Sequence, residues 1–228
     1  MITIESTPAK RPLRISLSGR YVRIVRLKSA QHGDALWEAT QGVKNEGLWR
    51  YLWEGPFAER GDFDVSLKAM EACEDPLYVA IVDSGTGKAI GRASYLRIEP
   101  KHRCIEVGAI LFSPLLQRTR GATEAMYLMM RHAFEDLGNR RYEWKCDARN
   151  EPSRRAALRL GFTFEGIFRQ HMIIKGENRD TAWFSVIDSE WPRVKEALEK
   201  WLAPENFAGG GQQKQALAAL RLAGRDER

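Results

Sequence analysis

Ile105-Glu106-Val107-Gly108-Ala109-Ile110-Leu111-Phe112 is followed by Ser113-Pro114, by the basic turn Gln117-Arg118-Thr119-Arg120-Gly121-Ala122, and by Thr123 to Leu137, which stops at Gly138. The apolar run predicts a strand, and Ser113-Pro114 ends it. A helix is predicted next, because Ala122, Ala125 or Met126, Met129, Ala133 and Leu137 recur at helical spacing. Strand, cationic loop and helix in that order suggest an anion site. The first amides of a helix lack backbone partners and carry partial positive charge. A loop of small residues before them lets a phosphate come close. Arg118 and Arg120 add full charges, and arginine holds phosphate with two hydrogen bonds. A plain solvated connection would read the same way, so both remain open at this point. The stretch has neither Gly-x-x-x-x-Gly-Lys-Ser/Thr nor Gly-x-Gly-x-x-Gly, so it is neither a P-loop nor a dinucleotide fingerprint.

Downstream, Arg141 to Asp147 alternates strictly, with Tyr142, Trp144 and Cys146 on one face. Asn150 suits a helix cap and Pro152 a first turn, so a helix is predicted to Leu160, stopping at Gly161. Phe162–Phe168, Met172–Lys175 and Trp183–Ile187 predict closing strands, and Trp191–Leu202 an amphipathic helix. Upstream, Leu77–Val82 and Ala89–Arg97 flank the turn Asp83–Lys88 and predict a hairpin. Tyr21–Leu27 predicts a strand, Ala30–Thr40 a helix capped by Ser29, and Asp62–Cys73 a further helix. Trp49, Tyr51 and Trp53 are either core or the lining of a substrate cleft. Residues 1–19 are expected to be a loose lead-in and 20–202 one domain. Residues 203–228, broken by Gly209-Gly210-Gly211, are expected to be a tail that is mobile unless a partner subunit holds its short helix.

The chain carries 36 Lys and Arg against 30 Asp and Glu, for a net charge of +6. The basic residues cluster twice, at Lys10–Lys28 and again at Arg118, Arg120, Arg149, Arg154, Arg155 and Arg159. The first block reads as solvated surface, and nucleic acid is not expected as a partner. No apolar run approaches the roughly 18 residues of a membrane span. Three widely spaced cysteines, Cys73, Cys104 and Cys146, form no Cys-x-x-Cys pair, so neither metal nor disulfide framework is expected, and a cytoplasmic location is. His32, His102, His132 and His171 lie in no marked pattern.

Gln117-Arg118-Thr119-Arg120-Gly121-Ala122 resembles the Gln/Arg-x-x-Gly-x-Gly/Ala signature of the GNAT family of N-acetyltransferases, matching at Gln117 and Ala122. It departs at Arg120, where the family has glycine. Ala122-Thr123-Glu124-Ala125 is similar to the RimJ/RimL-like branch, which acts on ribosomal-protein N-termini. A second family signature, an asparagine after the next strand and a short helix ending in Gly-Phe, is matched by Asn150 and by Gly161-Phe162. The two motifs in order, at fitting distance, are far rarer by chance than either alone.

The resemblance covers roughly Arg20 to Asp188. It implies the GNAT fold, an α/β arrangement with a central mixed, splayed sheet flanked by helices. Acetyl-CoA would lie in the V between the Ile105 and Tyr142 strands, and would account for the second basic cluster. Ile110, Leu111 and Phe112 would pair with the pantetheine arm. Arg118, Thr119, Arg120, Gly121, Ala122 and Thr123 would hold the pyrophosphate, Gln117 would belong to the same cofactor site, and Asn150 would hydrogen-bond the cofactor, with Ser153 nearby. The implied reaction is direct acetyl transfer to a primary amine, either a protein N-terminus or a small amine. Glu106, a lone carboxylate in an apolar strand, is the candidate base if burial raises its pKa; pairing with a nearby arginine is the alternative. Many family members carry a tyrosine acid where this chain has Ala157. Its absence keeps a non-enzymatic acyl-CoA-binding module as the rival reading. A second copy of the chain is a candidate partner.

Overall fold

The computed structural model describes residues 7–13 and 15–223. Among them eight strands form one mixed sheet: β1 (Ser16–Ser18), β2 (Val22–Arg26), β3 (Leu77–Asp83), β4 (Ala89–Glu99), β5 (Cys104–Phe112), β6 (Arg141–Asp147), β7 (Thr163–Ile174) and β8 (Glu177–Ile187). Their spatial order is β1-β2-β3-β4-β5-β6-β8-β7. Neighbours are antiparallel except β5 and β6, which run parallel. Parallel neighbours need a crossover, and here it is the helix α3 (Arg120–Arg131). The central strands are covered on both faces, so β3 and β5 are nearly continuous apolar runs rather than alternating ones.

Helices α1 (Ser29–Thr40) and α2 (Arg60–Ala72) cover one face. Leu36, Phe63 and Leu67 pack there against Tyr78, Ala80 and Leu111. On the other face lie α3, α4 (Glu151–Leu160) and α5 (Trp191–Leu202). Met126, Met130, Leu160 and Leu198 form that core with Tyr95, Tyr142 and Phe184. Glu124 locks α3 to the β1–β2 turn. Its buried carboxylate accepts from the amides of Arg20 (2.8 Å), Tyr21 (2.7 Å) and Val22 (2.9 Å). Gly19 is required beside it, since a Cβ there would lie 2.3 Å from the Glu124 carboxyl carbon.

The splayed mixed sheet with helices on both faces agrees with the expected fold, but several boundaries differ. The central helix begins at Arg120, three residues before the predicted start, because Thr119 caps it by accepting from the Ala122 amide. It ends in a π-turn, His132–Asp136. Ser29 lies inside α1 rather than capping it, and its amide and hydroxyl both donate to Glu71 (2.7 Å each). The strands expected at Phe162–Phe168 and Met172–Lys175 are one strand, irregular between Phe168 and Met172, where Gln170 has φ +50°. Its partner β8 reaches back to Glu177.

Beyond Ala203 the chain packs on its own domain. Phe207 stacks edge-on against Trp201, with centroids 5.2 Å apart. The helix α6 (Leu217–Ala223) seats Leu217 in the core at 1% exposure. The expected mobile tail is therefore docked as far as it is described, because α6 has an apolar stripe that α4 and α5 can cover. The first six residues and the last five lie outside the described residues, as does Arg14 of the early basic block. Within that block Arg26 donates to the Glu71 and Cys73 carbonyls and Lys28 pairs with Glu71.

Candidate acyl-transfer cleft

β5 and β6 pair only over Cys104–Val107 and Arg141–Trp144. Beyond that they part, and the gap opens into a cleft of about 1170 Å³. The divergence has a local cause. The β4–β5 register shifts between Arg92 and Ser94, and Ala109 sits there with φ +48°, a bulge that bends its strand. Gly108 permits the bend, since a Cβ would stand 2.9 Å from a Leu96 methyl. Arg92, 1% exposed, holds it from behind: Nη1 donates to the Ala109 carbonyl at 2.9 Å. The same guanidinium pairs with Glu54 and lies over the rings of Trp49 and Tyr78. Sequence reasoning missed Arg92, because an arginine in an apolar strand carries no local sign of its partners.

Most residues expected at a cofactor site line this cleft: Ile110, Leu111 and Phe112 on β5, Gln117 to Arg120, Ala122 and Thr123 at the start of α3, and Asn150 and Ser153 at the start of α4. Gly121 does not. It faces Val22 and Leu116, so anything it offers the cleft is its amide. Gln117 Nε2 donates to the Phe112 carbonyl at 2.9 Å and ties the loop to the strand end. Arg118 is exposed, with φ +61°. Asn150 caps α4, accepting from the Ser153 amide (3.2 Å), and Ser153 Oγ accepts from Trp144 Nε1 (2.9 Å).

The second basic cluster divides by role. Arg149 pairs with Asp147 (3.0 Å), and Arg154 and Arg155 pair with Glu151. Arg120 lies between Tyr21 and Phe207, 5.0 and 4.5 Å from their ring centres. Arg159 is different. Its Nη1 donates to Thr123 Oγ1 at 3.0 Å and its head lies 4.7 Å from the Trp201 ring, with no carboxylate beside it among the described residues. It opens to the cleft, yet enough protein surrounds it to hold its pKa below the ordinary arginine value. Trp201 and Phe207, which complete this end, come from segments with no sequence signal for a site.

At the other end Glu106 is 3% exposed. Its Oε2 accepts from Arg97 Nη1 (2.6 Å) and Lys145 Nζ (2.8 Å). The ion-pair alternative is therefore present, with a lysine added that was not foreseen. Oε1 makes no hydrogen bond among the described residues and lies beside Gly108, where the strands part. Lys145 also pairs with Glu143 (2.6 Å) and lies 3.8 Å from the Trp183 ring centre. Burial alone would raise the Asp147 carboxyl, but Arg149 outweighs it and holds the pKa below the ordinary range. Of the three early aromatics, Trp49 is core, whereas Tyr51 and Trp53 face the cleft. Lys175 ties their segment to the β7–β8 turn, donating to the carbonyls of Trp49 (3.0 Å), Glu54 (3.2 Å) and Gly55 (2.6 Å).

Ala157 is fully buried, so no side-chain acid enters the cleft from that position. Among the described residues no group of three or more His, Cys, Asp or Glu is placed to hold a metal, and no helix is long and apolar enough to cross a membrane. All three cysteines are free.

Comparison with known proteins fits this geometry. The acetyltransferase (GNAT) domain profile matches residues 24–163, well over half of the chain. A GCN5-related N-acetyltransferase from Brucella melitensis is 50% identical with a TM-score of 0.92, over 94% of this chain and 97% of that one. The Bacillus subtilis N-acetyltransferase YoaA, itself uncharacterized, is 31% identical over 102 residues, 45% of this chain and only 57% of that protein. The microcin C7 self-immunity acetyltransferase MccE, solved with acetyl-CoA and AMP, has a TM-score of 0.64 at 20% identity over 74% of this chain and 93% of that one, a likeness of fold alone. By profile, sequence and fold together, the chain belongs to the GNAT acetyltransferase family.

Proposed function

We propose that this protein is an N-acetyltransferase that takes acetyl-CoA as acyl donor and passes the acetyl group directly to an amine. The observation that carries the reading is one continuous cleft. It joins the amide-rich, cationic start of α3 to a buried carboxylate at the point where β5 and β6 separate. A long thioester with a phosphorylated end and an apolar arm suits that shape and charge. The site fits the donor on two counts: Arg159 lines the cleft without an anionic partner among the described residues, and the α3 cap leaves the Arg120 and Gly121 amides without helical acceptors.

Arg159, Arg118 and the first amides of α3 hold the donor's phosphates. Asn150 and the backbone of Ile110–Phe112 align the arm. A backbone amide of the Ala109–Leu111 bulge polarises the thioester carbonyl, whose oxygen gains negative charge as the amine attacks. Glu106 Oε1 takes the proton from the amine, directly or through one water, while Lys145 and Arg97 hold the carboxylate in place. The amine nitrogen forms a bond to the acetyl carbon as the carbon–sulfur bond breaks, and the thiolate takes its proton from solvent, since position 157 offers none. The RimJ/RimL-like reading rests on Ala122-Thr123-Glu124-Ala125 and extends the acceptor to protein N-termini.

Ala157 also favours the second reading, a non-enzymatic acyl-CoA-binding module. Thiol release from acetyl-CoA across a panel of peptides and small amines separates the two. Amine-dependent release is expected. Tight acetyl-CoA binding with no release for any amine leaves the module.

A further inference from the structure

The cleft contains a second cation that acyl transfer does not use. Arg179 on β8 is 9% exposed and lines the cleft beyond the end of β6. Among the described residues it has no salt bridge and no side-chain hydrogen bond, and its Nε is buried without a partner. Burial pushes its pKa below the ordinary arginine value. A guanidinium in that condition is costly unless something with negative charge meets it. The carboxylates nearby are already committed. Asp147 is held by Arg149 at 3.0 Å, and Glu106 by Arg97 and Lys145. His171 stands in the same field, its pKa lowered by burial and by Arg179, Arg97 and Lys145. It hydrogen-bonds Thr181 at 2.9 Å and brings no negative charge.

Position adds to the argument. Arg179, Thr181 and Trp183 alternate along β8 onto the same face as Lys145 and Asp147 of β6, given the pairs Asp147↔Thr181 and Lys145↔Trp183. Glu106 reaches that face too, through its bond to Lys145. Arg159 lies instead on α4 at the phosphate end, so these two arginines, neither paired with a carboxylate among the described residues, serve opposite ends of one cleft.

Building on the acetyl-transfer reading, we infer that the amine acceptor carries a carboxylate, and that Arg179 binds it while Glu106 receives the amine. The acceptor is then a zwitterion, an amino acid or a short acidic peptide, rather than a polyamine or an uncharged amino sugar. Arginine and carboxylate meet as a planar pair of parallel hydrogen bonds, which would satisfy the orphaned guanidinium and fix the amine relative to the thioester.

The test compares kcat/KM for aminocarboxylates with their own carboxamides and with polyamines, in wild type, Arg179→Lys and Arg179→Gln. Acetyl-CoA affinity, measured separately by calorimetry, reports whether each variant is folded. Wild type should prefer carboxylate over carboxamide by about 10- to 150-fold, the range of a charge-assisted hydrogen bond. In Arg179→Gln that ratio should fall toward one, and Arg179→Lys should restore part of it. Equal use of carboxylates and carboxamides, preference for polyamines, or a preference that survives in Arg179→Gln overturns the inference and leaves acetyl transfer standing. A protein that binds acetyl-CoA but acetylates no member of either set overturns both.

Discussion

Replacing Arg159 by methionine separates a binding role from a structural one, because the two readings predict different pairs of numbers. In the free protein this side chain has one hydrogen bond to Thr123 and a ring contact with Trp201. Losing them costs about 1 kcal/mol for the bond and about 0.5–1 kcal/mol for the cation–ring contact. Removing a partly desolvated cation works the other way, and methionine keeps much of the packing against Trp201. The net change should stay within about 1 kcal/mol, which for a domain of this size is about 2–4 °C in Tm. Binding should respond far more. A charge-assisted hydrogen bond to phosphate is worth about 1.5–3 kcal/mol, a loss of about 10- to 150-fold in affinity. Titration calorimetry with acetyl-CoA at two salt concentrations reads this directly. The variant should also show a shallower salt dependence, since one cation fewer meets the donor. If Arg159→Met binds acetyl-CoA within about twofold of wild type while Tm drops by more than about 6 °C, Arg159 is a structural residue and the phosphate assignment fails.

Three other outcomes follow from the same structure. Glu106→Gln should lower kcat by about 10²- to 10⁴-fold with acetyl-CoA affinity retained; unchanged turnover would remove Glu106 as proton acceptor. Leu217→Ala should destabilise by about 2–5 kcal/mol in denaturant unfolding and weaken acetyl-CoA binding, because α6 supports the α5 end that carries Trp201; no change would mean that the C-terminal segment is not docked in solution. Glu71 accepts from the Ser29 amide and hydroxyl and pairs with Lys28, which lowers its pKa from 4.5 to about 2. A depressed carboxylate stabilises the fold above its unfolded pKa and loses that contribution as pH falls through the folded value. The stability gap between wild type and Glu71→Gln should therefore be full above about pH 5 and shrink toward about pH 2; a gap that widens on acidification would contradict the assignment.

Much of the architecture was readable because it rests on local periodicity. The apolar run of β5, the alternation of Arg141–Asp147, the amphipathic stripe of Trp191–Leu202 and the cap at Asn150 each follow from a few neighbouring residues, and each element is present. The start of α3 was displaced because Thr119 caps through its own side chain, so Arg120 and Gly121 became first-turn residues rather than loop. The break expected between Phe168 and Met172 is only an irregularity, because pairing with β8 carries the strand across it. Half of the question over Glu106 was also readable, since a lone carboxylate in an apolar strand must be paired or perturbed.

What the amino-acid order determined was the presence of a strand, a cationic turn and a helix, with an asparagine-capped helix after them, and hence a family and one end of a cleft. What only the tertiary structure decided was which charges meet. Arg159 and Arg179 look no different in sequence from Arg149, Arg154 and Arg155, yet three arginines find carboxylates and two face the cleft without one. Lys145 on β6 reaches Glu106 on the neighbouring β5, Arg92 on β4 reaches the Ala109 carbonyl on β5, and Trp201 and Phe207 arrive from the far end of the chain. Side-chain pairing in a sheet depends on register and twist summed over the whole fold. Electrostatics acts through space rather than along the chain, so local order alone does not contain it.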